Sequence, residues 1–72
     1  MTNTKLLNQK IAESGLKKQH IASRIGITTQ ALTYKIENVR DFKASEITTL
    51  SKLLGVSTPE EREALFFAQN VN

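Results

Sequence analysis

The stretch Ile21-Ala22-Ser23-Arg24-Ile25-Gly26-Ile27-Thr28-Thr29-Gln30-Ala31-Leu32-Thr33-Tyr34-Lys35-Ile36 holds two short apolar stripes of helical spacing with a glycine between them. Ile21, Ala22 and Ile25 fall on one face of a helix predicted from Lys18 to Ile25. Gly26 ends it, because glycine enters the left-handed conformation without the steric cost that a Cβ brings. Thr28 then offers a side-chain oxygen to the free amides of a further helix running to about Glu37, on which Leu32 and Ile36 stand four apart. A connection of Gly26-Ile27-Thr28 is too tight for an antiparallel helical hairpin and suits a helix-turn-helix over about residues 18–37. Ala22 is small enough to let the two helices approach, and Ile21, Ile25, Ile27 and Leu32 can fill the angle between them.

With Leu32 and Ile36 turned inward, a rotation of about 100° per residue puts Gln30 and Tyr34 nearly opposite, with Thr33 and Glu37 beside them. Thr29 lies nearer the edge but, in the first turn, projects past the helix end. These side chains suit a surface that reads nucleic acid. Glutamine pairs bidentately with adenine, threonine bonds a base or touches a thymine methyl, and tyrosine reaches a base or a phosphate. The helix amino terminus at Thr28 itself favours a phosphate. Taken singly, each of these residues would better suit an ordinary solvated face. The spacing of Ala22, Gly26 and Leu32 inside consistent helix boundaries is what favours the reading surface.

The flanking sequence predicts three more helices and no strand. Thr4 to Ser14 carries Leu7 and Ile11 four apart, with Ala12 beside them, and Gly15 follows as a stop. Asn38 to Lys43 has no helical stripe and reads as a loop anchored by Phe42. Ser45 is the expected cap of a fourth helix with Ile47, Leu50, Leu53 and Leu54 inward, ended by Gly55. Thr58-Pro59-Glu60-Glu61 starts a fifth: the threonine caps, proline needs no amide hydrogen in the first turn, and Glu61 can complete a capping box. The expected architecture is all-α, a compact bundle of about five short helices in a single domain spanning residues 1–72.

Composition narrows the function classes. At 72 residues with no cysteine, the chain has neither disulfides nor thiolate metal ligands to reinforce a small core. Its longest apolar runs fall far short of a membrane span or a signal-peptide core, so a soluble cytoplasmic protein is expected. Charge is unevenly placed. Residues 1–43 hold eight basic side chains against Glu13, Glu37 and Asp41, a net +5; residues 44–72 carry a net −2. A positive front half suits a polyanionic partner.

The segment from about Gly15 to Ser57 resembles the DNA-binding domain of lambda-repressor-like proteins, especially the small repressor and Cro-like regulators of temperate bacteriophages. The residues that carry the likeness are Ile21-Ala22-Ser23-Arg24-Ile25-Gly26-Ile27-Thr28 and Gln30-Ala31-Leu32, continued by Arg40-Asp41-Phe42-Lys43-Ala44-Ser45-Glu46-Ile47 and Leu53-Leu54-Gly55-Val56-Ser57. The resemblance implies a homodimer in the bacterial host's cytoplasm that sets the second paired helix into the major groove of operator DNA. Thr29, Gln30, Thr33 and Tyr34 would then face bases. Lys18, Thr28, Lys35, Asn38, Arg40 and Lys43 would meet phosphate. The sequence departs from the commoner family pattern at Lys18, where many members carry glutamine, and at Ile36, one residue later than the usual apolar position.

Other chemistries find little support. His20 stands alone with no second histidine or cysteine for a metal, and no cofactor is implied. Glu60, Glu61 and Glu63 sit where a helix dipole favours carboxylates. No nucleophile–base pairing or phosphate-cradling glycine loop indicates an enzyme, and nothing points to a small-molecule substrate or a membrane. The apolar run of the fifth helix, Leu65, Phe66, Phe67 and Val71, covers more than one helical face and is a candidate partner surface. Two modes of regulation follow. One is operator binding as a homodimer; the alternative is an antirepressor or modulator acting through a heteromeric complex with a resident phage repressor.

Overall fold

A computed structural model describes residues 1–69, which form five helices and no strand. They are α1 (Thr4–Ser14), α2 (Lys18–Ile25), α3 (Thr29–Ile36), α4 (Ala44–Leu54) and α5 (Pro59–Phe66). α2 packs on α3 and α4, and α1 lies against α3, α4 and α5. The core between them takes Leu7 and Ile11 from α1, Ile21 and Ala22 from α2, and Leu32 and Ile36 from α3. Ile47 and Leu50 of α4, Val56, and Leu65 and Phe66 of α5 complete it. The apolar spacings of α1 to α4 thus mark their buried faces, although Ala12 is exposed.

The turn between α2 and α3 depends on Gly26, which sits at φ +90° and donates its N–H to Ala22 and Ser23 carbonyls. A Cβ there would meet no neighbour within 4 Å, so only backbone strain keeps other residues out. Thr28 follows in extended conformation, and its Oγ1 accepts the Ala31 N–H at 3.0 Å, starting α3 as the sequence indicated. Ile25 and Ile27 are half-buried at the junction.

Two local expectations change. α4 begins at Ala44 with Lys43 at its cap position, so Ser45 stands inside the first turn and caps nothing. The Glu46 carboxylate instead reaches back to accept the N–H of Lys43 itself at 2.8 Å, the reciprocal half of a capping box. In α5, Thr58 caps as expected, accepting the Glu61 N–H at 3.1 Å. The Glu61 side chain, however, meets the Thr58 hydroxyl at 3.4 Å and Lys10 of α1 at 3.3 Å instead of closing a reciprocal box.

The amino-terminal residues tie the ends of the bundle together. Asn3 N–H donates to the Leu65 carbonyl at 2.8 Å and Ala68 N–H to the Met1 carbonyl at 2.9 Å. Thr2 is buried, and its backbone N–H and carbonyl are both bonded by the Asn38 side chain at 2.8 Å. Phe42 anchors the α3–α4 loop as expected, with its ring edge-on to Phe66 at 5.5 Å and 82°. No described helix is long and apolar enough to cross a membrane.

Candidate nucleic-acid interface

α3 presents its two faces in different ways. Leu32 and Ile36 point into the core, while Thr29 and Gln30 are exposed and Thr33 and Tyr34 half-exposed. The outer row is held by its own hydrogen bonds. Gln30 Nε2 donates to the Tyr34 hydroxyl at 2.9 Å, and Thr33 Oγ1 bonds back to the Thr29 carbonyl at 3.2 Å. Arg40, from the following loop, sets its guanidinium carbon 5.2 Å from the centre of the Tyr34 ring, within cation–π range. The backbone delivers it there: Asn38 adopts φ 65°, and the Val39 and Arg40 N–H groups both close onto the Tyr34 carbonyl. Asparagine tolerates that left-handed conformation better than most residues do.

The outer side of α3 therefore runs from Thr28 and Thr29 at its amino terminus through Gln30 and Thr33 to Tyr34 in its last turn, where Arg40 packs from the following loop. Thr28 is exposed at the helix start, where no acidic side chain occupies the first turn. Lys18 is exposed at the start of α2, whose cap residue Lys17 makes no side-chain cap bond and whose first turn is also free of acid. An anion would satisfy these open amides and complement the positive end of each helix. Lys43 is exposed at the start of α4.

Two of the residues expected at phosphate are engaged elsewhere. Lys35 is buried at 7% exposure, and its ammonium lies 2.6 Å from Glu46 Oε1. It stands three residues after Leu32, on the inward stripe, and a buried cation needs a buried partner. Asn38 spends its side chain on Thr2. Neither is free to meet DNA in this arrangement.

Glu46 was not legible as part of this system. Burial pushes its carboxyl pKa up, but the hydrogen bonds from Lys35 and the Lys43 N–H, with both lysine charges, outweigh that and hold it below the ordinary glutamate value. The available signal was its place three residues after Lys43 in a helix's first turn, where a carboxylate reaches back to the chain entering the helix. The pair fastens the end of α3 to the start of α4 across the loop that carries Arg40.

The carboxy-terminal apolar run divides. Leu65 and Phe66 are core residues and cannot meet a partner while the domain is folded. Phe67 is 51% exposed and, with Met1, Phe42, Ile47 and Phe66, lines a groove of about 270 Å³. Val71 lies outside the described residues. His20 is exposed beside Lys17 and Gln19, and among the described residues no group of three or more His, Cys, Asp or Glu side chains could hold a metal ion. No protein-family model, curated protein or solved structure matches the chain.

Proposed function

We propose that this protein is a phage or prophage transcriptional regulator that binds double-stranded operator DNA as a homodimer, with α3 in the major groove. It acts as a binding module and not as an enzyme. The observation that carries the reading is the polar row Gln30–Tyr34–Arg40, joined by hydrogen bonding and ring packing along the outer side of α3, whose amino terminus is free of acid. A face that only needed solvation would gain nothing from ordering three long side chains, whose immobilisation costs entropy. Thr29, Gln30 and Thr33 supply base contacts, while Thr28, Lys18, Arg40 and Lys43 supply phosphate contacts.

Arg40→Ala and Lys43→Ala test the reading. Each is expected to weaken binding about equally on specific and random duplexes. Each should also lower the steepness of the salt dependence by roughly one unit per lost phosphate contact. Unchanged affinity and slope in both variants would remove the α3–α4 loop from the interface.

A second reading draws on the exposed Phe67 and Met1 at their shared groove. There the protein acts as an antirepressor, binding a resident phage repressor through that apolar surface. A mobility-shift assay separates the two. Retardation of DNA by the purified chain alone supports operator binding, whereas retardation or release only in the presence of the repressor supports the second reading.

A further inference from the structure

Arg40 is held at two points by one residue. The Val39 and Arg40 N–H groups both bond the Tyr34 carbonyl, at 2.8 and 3.3 Å, and the Arg40 guanidinium carbon lies 5.2 Å from the centre of the Tyr34 ring. Asn38 makes the turn that brings the chain back, at φ 65°, and its side chain holds both backbone groups of Thr2 at 2.8 Å. Arg40 is exposed, and among the described residues it forms no ion pair, not even with Glu37 or Asp41, the acids nearest to it in the chain. An exposed arginine left to itself samples many rotamers, and fixing one costs entropy. Here a ring, and not an acid, sets where the guanidinium stands.

We infer that Tyr34 is a positioning residue: its ring presets the Arg40 guanidinium for a phosphate of the DNA backbone, and its contribution to binding passes through Arg40. This rests on the DNA-binding reading above and gives one residue of that site its role. The ring attracts the cation through its quadrupole and adds no opposing charge. The guanidinium therefore stays positive, and its planar fork of N–H donors remains available to phosphate oxygens. A carboxylate in the same place would fix the side chain equally well but would occupy those donors and cancel the charge. Holding the guanidinium before DNA arrives removes part of the ordering cost of binding. The backbone bonds to the Tyr34 carbonyl bring the loop to the ring, so both ends of the Arg40 side chain are referred to the last turn of α3.

The test compares the wild type, Tyr34→Phe, Tyr34→Leu, Arg40→Ala and the double variant Tyr34→Leu with Arg40→Ala. Binding to a random-sequence duplex is measured across salt concentrations, at a temperature at which all five are folded. NMR of the DNA-free chains reads the contact itself. The Arg40 side-chain methylene protons should carry a ring-current shift in the wild type and Tyr34→Phe and lose it in Tyr34→Leu. Tyr34→Leu should weaken duplex binding by about two- to fivefold, the worth of an exposed cation–π contact. Tyr34→Phe keeps a ring and should stay within about twofold of the wild type with an unchanged salt slope. In the Arg40→Ala background the leucine change should add nothing. Three results would overturn the inference while leaving DNA binding intact: Tyr34→Leu binding like the wild type, Tyr34→Phe losing as much as Tyr34→Leu, or the leucine loss persisting without Arg40. The second would give the hydroxyl a DNA contact of its own, and the third would give one to the ring. A wild type that binds no duplex at low salt would overturn the inference together with the reading beneath it.

Discussion

α3 and α5 are both eight-residue helices opened by a threonine cap, yet they prepare opposite surfaces. Thr28 and Thr58 accept the N–H three residues on at nearly the same distance, 3.0 and 3.1 Å. α5 then places Glu60 and Glu61 in its first turn, which neutralise the positive helix end from within the protein. α3 places no acid there. α1 also starts without acid, but its Thr4 hydroxyl bonds the Ile36 carbonyl at 2.6 Å, setting its positive end against the negative end of α3. The start of α3 has no such internal complement. At their far ends the contrast reverses: α3 keeps its exposed row polar and tied down, while α5 runs out into the exposed apolar Phe67. One helix start is left without an internal acid and the other helix end carries an exposed aromatic.

The largest effects should come from the inner face of α3. Lys35→Ala or Glu46→Ala leaves a buried charge unpaired and should cost about 3–5 kcal/mol in denaturant unfolding. The double change Lys35→Met with Glu46→Leu should cost much less, because no orphan charge remains. A Lys35→Ala variant of unchanged stability but shallower salt dependence would return Lys35 to the DNA face and break the contrast. The pair also sets a pH dependence. Glu46 titrates below its unfolded value of about 4.3, so its contribution is complete above that value and is lost as pH falls through the lower folded one. Acid titration of Glu46→Gln should therefore show a flatter loss of stability on that limb than the wild type does.

The outer end of α5 separates its two phenylalanines. Phe66→Ala should cost about 3–5 kcal/mol, as expected for a core aromatic. Phe67→Ala should stay within about 0.5 kcal/mol. Sedimentation then reads the role of Phe67: a smaller mass for Phe67→Ala at unchanged melting marks an association surface. Unchanged association assigns its exposure to chance.

The smallest effects concern the two caps. Thr28→Ala and Thr58→Ala should each cost about 1 kcal/mol, since the cap geometry is shared. Only the first should also weaken DNA binding. Equal DNA affinity in the two variants would mean that the α3 terminus holds no phosphate.

Much of the scaffold was readable because its causes are local. Gly15, Gly26 and Gly55 mark helix ends, Thr28 and Thr58 mark starts, and the four-residue apolar spacings mark inner faces. The outward row of α3 followed from the same periodicity. Three features depended on residues far apart in the chain. Lys35 turns inward only because a carboxylate eleven residues later is buried with it. Asn38 is diverted by Thr2, thirty-six residues before it. Leu65 and Phe66 are adjacent and both buried, because the amino-terminal segment and Phe42 cover a second side of α5. Periodicity within one helix sets Lys35 beside Leu32 on the inner side but carries none of these distant partners.

The proposed function requires the α3 face, and not the α5 groove, to meet DNA. The most direct measurement is a backbone amide NMR titration of the isotope-labelled chain with a mixed-sequence duplex at low salt, where non-specific binding alone should be observable. Operator binding through α3 should give shifts concentrated in Thr28 to Tyr34, Arg40 and the start of α2 at Lys17 and Lys18, with Phe42 and Phe67 unmoved. Shifts confined to Met1, Phe42 and Phe67, or no shift anywhere at saturating duplex, would contradict it.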